Sequence, residues 1–339
     1  MKVVAPRAPK AASASTRAAR MRPAAPTAAK ATSSSRATRP ASAAPAVAGV
    51  RITHPERVVY RDAGVTKLMV AEYYARMASR LLPYVADRPL SIVRCPSGAD
   101  GACFFQKHVG DTAIPGVEVT MIEDSAGRNP YIVANTVKAL VGLAQMNALE
   151  LHVWGALASA IERPDTMILD LDPDPALPWA QVVAAAKLTR SLLDELGLDC
   201  LLKTTGGKGL HVVVPLVRRH RWDEVKEFAR DVATHLAETL PDQFIATASK
   251  ERRRGKIFVD YLRNTRGATA VAPYSLRARA GATVSTPLSW DELSAKTPPS
   301  AFTIATVPER VARKKDPWAR YEQQRQRLSA AMRRTLAKG

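Results

Sequence analysis

The sequence has 339 residues, 46% of them hydrophobic, and 50 Lys and Arg against 31 Asp and Glu, a net charge of +19. That length and apolar content allow a substantial core in one large or two modest domains, while the positive excess opposes compaction and suits a polyanionic partner whose counterions are released on binding. No apolar run reaches the roughly 18–20 residues of a membrane helix, no secretory signal opens the chain, and Cys95, Cys103 and Cys200 are too few for a disulfide framework and fit no zinc spacing; a reducing, cytoplasmic setting is expected.

Residues 1–50 are Ala, Pro, Ser, Lys and Arg, with nine basic residues and no acid. Such a segment cannot bury enough surface to offset its ordering entropy, so a disordered tail is expected. It reads equally as a loose electrostatic hold on nucleic acid and as a passive linker. Its composition overlaps with an organelle transit peptide, but its prolines break an amphipathic helix. The other 289 residues still carry +10.

Order is expected from about Val50. Thr66 is a helix cap, followed by Leu68, Tyr73, Met77 and Leu81 on one face, with a stop at Pro83. Leu90–Val93 reads as a strand. Asn135 is the expected cap of a helix reaching about Met146. Met167–Leu171 is a short apolar strand ending in acids. Pro178 suits the first turn of a helix that stops at Gly197. Leu210–Leu216 is a strand, Asp223 to Leu240 a helix, Ile257–Leu262 a strand, and Thr269–Ala272 a further strand. From Pro317 the chain is charged, helix-prone and poor in large apolar residues. The alternation indicates an α/β or α+β architecture with one main sheet. The expected division is a tail over 1–50, a domain over 51–320 and a charged helix or tail over 321–339.

Five groups of residues carry chemistry. In Ile168-Leu169-Asp170-Leu171-Asp172-Pro173, strand alternation puts Asp170 and Asp172 on one face and the leucines in a core. Paired carboxylates repel unless a cation joins them, and hard oxygen ligands suit Mg²⁺ or Mn²⁺. Alone, the pattern also fits a calcium loop, a sugar-nucleotide glycosyltransferase or chance. Asp260 ends a second apolar strand, where it reads either as a third metal ligand or as the cap of a turn. Lys203-Thr204-Thr205-Gly206-Gly207-Lys208-Gly209-Leu210-His211 joins glycines, hydroxyls, lysines and a His, which suits phosphate more than a bare turn. It is not a Walker loop, because Gly209 follows the Lys. Phe104-Phe105-Gln106-Lys107-His108 offers adjacent aromatics for base stacking, although one Phe is expected in the core. Basic residues from Lys250 and Arg252 through Arg279 surround Asp260, as phosphate contacts or as a solvated face.

Taken in order, these stretches resemble the polymerase domain of bacterial DNA ligase D, in the archaeo-eukaryotic primase superfamily. The resemblance also runs through Thr53-His54-Pro55-Glu56-Arg57-Val58, Asp87-Arg88-Pro89-Leu90, Leu149-Glu150-Leu151-His152, Val259-Asp260-Tyr261-Leu262-Arg263-Asn264 and Ala272-Pro273-Tyr274-Ser275-Leu276-Arg277. It covers about residues 51–320. It implies a primase-polymerase-like core with a central mixed sheet flanked by helices. It further implies template-dependent addition of ribo- or deoxyribonucleotides at gaps and DNA ends in bacterial non-homologous end joining. It assigns two divalent ions, Mn²⁺ or Mg²⁺, to Asp170, Asp172 and Asp260, and the incoming NTP or dNTP to Thr205, Lys208, His211, Arg277 and His152. DNA contact falls to Arg57 and Lys67 at a 5′-phosphate, to Phe104 and Phe105 at the template, and to Lys107; His108 and Arg94 are further contacts.

Thr205 stands where Ser is usual, Arg57 where Lys is usual, and Arg263 where some members have Gln. No Lys-x-Asp-Gly ligase motif occurs, so a stand-alone polymerase is expected, with ligation left to a separate ATP-dependent ligase, recruitment to Ku, and location to the nucleoid. Two rivals remain: a primase that starts strands without a primer, and a non-catalytic end-binding module recruited by Ku.

Overall fold

A computed structural model describes residues 44–249 and 251–337. The tail expectation for residues 1–43 and the basic Lys250 lie outside the described residues. The first described pairing, Ala46–Val47 with Val50–Arg51, comes before the expected start of order, and it buries Val50 and Ile52.

A run buried on both faces from Met167 to Leu171 makes Thr166–Pro173 an inner strand of a six-stranded sheet. The spatial order is Phe244–Ile245, Ile257–Asp260, Thr166–Pro173, Leu210–Pro215, Leu201–Thr204 and Pro287–Leu288. The first pair is parallel and the others are antiparallel, so the sheet is mixed. A second, wholly antiparallel sheet holds Thr269–Val271, Ala148–Trp154, Leu90–Arg94, Gly127–Val133 and Glu118–Asp124, with Phe104–Gln106 alongside Leu90–Arg94. The expectation of one main sheet is therefore corrected to two. The hairpin Glu118–Asp124 with Gly127–Val133 carries polar residues and a proline, which hid it from a reading based on apolar runs.

Helices Lys67–Val85 and Val137–Gln145 pack on each other, while Trp179–Glu195 and Trp222–Thr239 pack against the first sheet. Thr66 caps its helix by accepting the Met69 N–H at 3.3 Å. The helix passes Pro83 by two residues because Tyr84 and Val85 are buried, which offsets the missing backbone bond. Thr136, not Asn135, caps the next helix; the Asn135 side chain instead accepts the Asp87 N–H and donates to Glu118.

The C-terminal segment is more embedded than its composition suggests. Trp318 and Tyr321 are buried, and Trp318 Nε1 donates to the Leu202 carbonyl at 2.9 Å. Arg325 reaches the fully buried Asp165 at 3.2 Å, and Asp165 also holds Arg88 at 2.8 Å. A short helix, Ala330–Leu336, follows. No helix among the described residues is long and apolar enough to cross a membrane.

Two cysteines pair. Arg94 lies opposite Phe104 in an antiparallel register, so the next residues outward, Cys95 and Cys103, face each other and form a disulfide. Cys200 is free and buried. The sparse cysteine count concealed this bridge, which is local rather than part of a framework.

Candidate active site

Directly paired residues of neighbouring strands share a face. Asp170 pairs with Asp260 on one side and His211 on the other, and His211 pairs with Lys203. Four strands therefore present one row: Asp260, Asp170, His211, Lys203. Leu169 and Leu171 alternate to the opposite face and are fully buried. Asp172 lies two residues along and is more exposed than Asp170.

Each carboxylate meets a side-chain cation. Arg263 Nε lies 3.0 Å from Asp170 and 3.3 Å from Asp260. Asp172 lies 3.2 Å from Arg253 and 3.5 Å from Lys208. The turn carrying Arg263 is pinned by the Asn264 amide, which bonds both backbone groups of Ile168 at 2.8 Å. Asp260 also caps this turn by accepting the Leu262 N–H. Burial pushes the Asp170 carboxyl up, but His211 and Arg263 outweigh it and hold it well below the usual range. Asp260 is raised by burial and by Asp170, against the opposing pull of Arg263. His211 is lowered to about 4, first by burial and then by Lys203, so it is neutral at pH 7. Its Nε2 lies 3.4 Å from Asp170.

The loop after Leu201–Thr204 is built for close approach. Gly206 has φ +67°, and a Cβ there would meet Arg277 at 2.7 Å; a Cβ at Gly209 would stand 2.5 Å from the Leu171 carbonyl. Thr205 Oγ1 donates to Gly209 O at 3.1 Å and accepts the Gly207 N–H at 3.2 Å. Lys208 is exposed and donates to the Pro173 carbonyl at 2.6 Å. Arg277, in the segment between Thr269–Val271 and Pro287–Leu288, donates to the Thr205 carbonyl. His152, Asp170, Asp172, Thr205, Lys208, His211 and Arg277 line one cleft, together with Arg263 and Arg279.

The expected DNA contacts lie elsewhere. Phe104 and Phe105 are each 46% exposed, so the expectation of one core Phe is corrected. Their strand pairs with Leu90–Arg94. Arg94 stacks over Phe104 at 5.4 Å, and Phe105 packs edge-on to His152 at 5.5 Å. Lys107 is exposed. His108 pairs with Asp124 at 3.1 Å. Lys67 is buried beside Arg57, and its pKa is lowered by burial and by that neighbour. None of Arg57, Lys67, Phe104, Phe105 and Lys107 lines the carboxylate cleft.

The family model described as LigD, primase-polymerase domain, matches residues 66–318. The chain belongs to this family. It is similar to the multifunctional non-homologous end joining protein LigD of Pseudomonas aeruginosa, 48% identical over 296 residues, which are 87% of this chain and 35% of that protein. It is also similar to LigD of Mycolicibacterium smegmatis, 36% identical over 248 residues, 72% of this chain and 32% of that protein. The chain thus spans about a third of the length of these relatives. Among solved structures, the polymerase domain from Mycobacterium tuberculosis ligase D in complex with DNA matches with a TM-score of 0.75 at 30% identity, covering 81% of this chain and 98% of that one. The two sheets with flanking helices are the primase-polymerase fold.

In this LigD primase-polymerase domain, three carboxylates from two adjacent strands offer the hard oxygen donors that Mg²⁺ or Mn²⁺ take. Among the described residues no three acidic, His or Cys side chains converge on one point. Arg263, Arg253 and Lys208 neutralise the carboxylates instead. The Arg263 side chain is 42% exposed, so it has room to swing away, and the donor set fits divalent ions.

Reading the sequence gave Glu150 no role, and it placed Lys203 in the phosphate-suited loop and Arg253 in the basic stretch around Asp260 without their contacts. Glu150 had a legible signal, its place two residues before His152 on one strand. Lys203 is 2% exposed and donates to Ser285 Oγ at 2.7 Å; the sheet register adds its place in the row beside His211. Arg253 stacks over Phe258 at 3.8 Å, a placement no sequence spacing encodes.

Proposed function

We propose that this domain adds ribo- or deoxyribonucleotides to a primer 3′-hydroxyl, directed by a template, at gaps and broken ends in non-homologous end joining. One observation carries the reading: Asp170, Asp172 and His211 line one cleft with the Thr205–His211 loop, and Asp260 pairs in register with Asp170 at its edge. Asp170, Asp172 and Asp260 would hold two divalent ions, Mn²⁺ or Mg²⁺. Such ions, when bound, activate the hydroxyl and neutralise the leaving pyrophosphate.

The chain's own residues do the positioning. Thr205, Lys208, His211 and Arg277 hold the triphosphate, and His152 holds the nucleotide. Phe104 and Phe105 stack on the template, Lys107 holds its backbone, and Arg57 and Lys67 grip the 5′-phosphate across the gap. The primer oxygen bonds to the α-phosphorus, the bond to the bridging oxygen breaks, pyrophosphate leaves, and the hydroxyl proton passes to solvent. No protein nucleophile is needed; positioning and electrostatics supply the rate. The proposal extends to Ku and to an ATP-dependent DNA ligase activity, which seals the filled gap, as partners.

The cation-filled carboxylates favour one rival, an end-binding module that takes no metal. A gapped duplex with a 5′-phosphate, offered with Mn²⁺ or Mg²⁺ and each nucleotide in turn, separates the two. Metal-dependent, template-matched extension supports the polymerase. Binding without extension under every condition supports the module. Extension without a primer would mark a primase.

A further inference from the structure

Glu150 is a buried carboxylate that neither the metal set nor the triphosphate set uses. It is 6% exposed. Strand alternation puts it on the same face as His152. Its Oε2 lies 2.7 Å from His152 Nε2 and 3.0 Å from Arg277 Nε, and its Oε1 accepts the Ala278 N–H at 2.8 Å. Burial pushes this carboxyl up, but His152 and Arg277 outweigh burial and bring it down to about 2. At neutral pH it is therefore ionised and accepts only. His152 is pushed down by burial and is neutral there, so it donates Nε2–H and keeps Nδ1 as an acceptor. Arg277 is anchored at both ends, Nε against Glu150 and Nη1 on the Thr205 carbonyl. With two hydrogen bonds and the Arg277 ion pair on its two oxygens, Glu150 is committed to these partners.

An ordinary structural ion pair ties core elements together. Here both side-chain partners line the cleft: His152 from a strand of the second sheet, and Arg277 from the segment that follows Thr269–Val271. We infer that Glu150 is a positioning residue for the incoming nucleotide: it fixes the His152 tautomer and aims the Arg277 guanidinium at the Thr205–His211 loop. The inference rests on the nucleotide-adding reading of this cleft. Phe105, edge-on to His152, extends the same bracing to the aromatic pair.

Wild type, Glu150→Gln and Glu150→Asp are compared by direct binding of a non-hydrolysable nucleoside triphosphate with Mn²⁺, and by ¹⁵N NMR of the histidine tautomers. Glu150→Gln keeps a cooperative melting transition and binds gapped duplex as before. It binds triphosphate about tenfold more weakly or worse, the scale of one lost charge-assisted bond. It also loses the fixed Nε2–H form of His152, and in turnover KM rises more than kcat falls. Glu150→Asp recovers part of the binding. Unchanged triphosphate affinity in Glu150→Gln overturns the inference. So does a parallel loss of triphosphate and duplex binding, or the loss of the native melting transition in both variants, since each makes Glu150 a structural residue. A wild type that binds triphosphate but extends no primer sinks the polymerase reading and leaves the Glu150 comparison decisive. A wild type that binds no triphosphate sinks both.

Discussion

Asp170 and Asp260 face each other in register on adjacent strands, and the guanidinium of Arg263 lies within 3.3 Å of both. Two facing carboxylates need a cation between them. Removing Asp170 therefore removes the centre of the site without touching Arg57, Lys67 or the Phe pair. Asp170→Ala is expected to cut nucleotide addition by at least about 10²–10³-fold, the scale of losing one transition-state contact. Gel-shift affinity for a gapped duplex should stay near wild type. Near-normal extension by this variant would remove the metal assignment.

The exposed aromatic pair makes a second, separable prediction. Phe104 and Phe105 are each half-exposed, so their loss costs less stability than that of a core Phe. Stacking on a base contributes about 1–3 kcal/mol. Phe105→Ala and Phe104→Ala should each weaken binding to a gapped duplex with unpaired template bases, while the melting temperature stays put. Phe105→Ala should also loosen His152, so its triphosphate binding falls slightly and that of Phe104→Ala does not. A fall in melting temperature matching the fall in affinity would return one Phe to the core.

How far the site could be read from the sequence follows from what each signal depends on. Asp170 and Asp172 were legible because alternation on one strand needs no knowledge of neighbours. The Thr205–His211 loop was legible because glycines, hydroxyls and cations sit together in the chain. Register was not legible, so the Lys203 end of the row stayed hidden. The second sheet was missed because Gly127–Val133 carries Arg, Asn and Pro instead of an apolar run. The C-terminal segment read as a charged tail because its anchors are few and spaced: Trp318, Tyr321, Arg325 and Leu336.

That segment meets the core at Asp165, which is fully buried between Arg88 and Arg325. Removing one member of a buried pair leaves an uncompensated charge and costs about 3–5 kcal/mol. Asp165→Asn should lose stability on that scale in urea unfolding. Burial pushes Asp165 up, but Arg88 and Arg325 outweigh it, so its folded pKa lies below the unfolded value. Glu150 shares this sign. For such groups the stabilisation is present above the unfolded carboxylate pKa and is lost as pH falls toward the folded one. Wild type should therefore lose stability progressively below about pH 4. Asp165→Asn should show a flatter acid limb; an identical limb would mean that Asp165 is not depressed.

The Cys95–Cys103 bridge sits where two expected DNA contacts meet. It closes a loop whose ends lead into Arg94 and Phe104. That loop rests on the short strand Val58–Tyr60 and the residue before it: Ala99 N–H donates to the Val59 carbonyl at 2.7 Å, and Arg57 Nη1 donates to the Pro96 carbonyl at 3.0 Å. Gly98 lies so close that a Cβ would stand 3.1 Å from Val59 O. Closing so short a loop restricts the unfolded chain by about 2–3 kcal/mol. A dithiol reductant, itself oxidised to a disulfide, converts the bridge to two thiols, which alkylation and intact mass count directly. Opening it frees the loop that holds Arg57 on one side and carries Phe104 on the other. Affinity for a gapped duplex with a 5′-phosphate should fall severalfold, while triphosphate binding, in a cleft that none of these residues lines, should not change. Equal duplex affinity before and after reduction would separate the bridge from DNA contact and leave it a purely local staple.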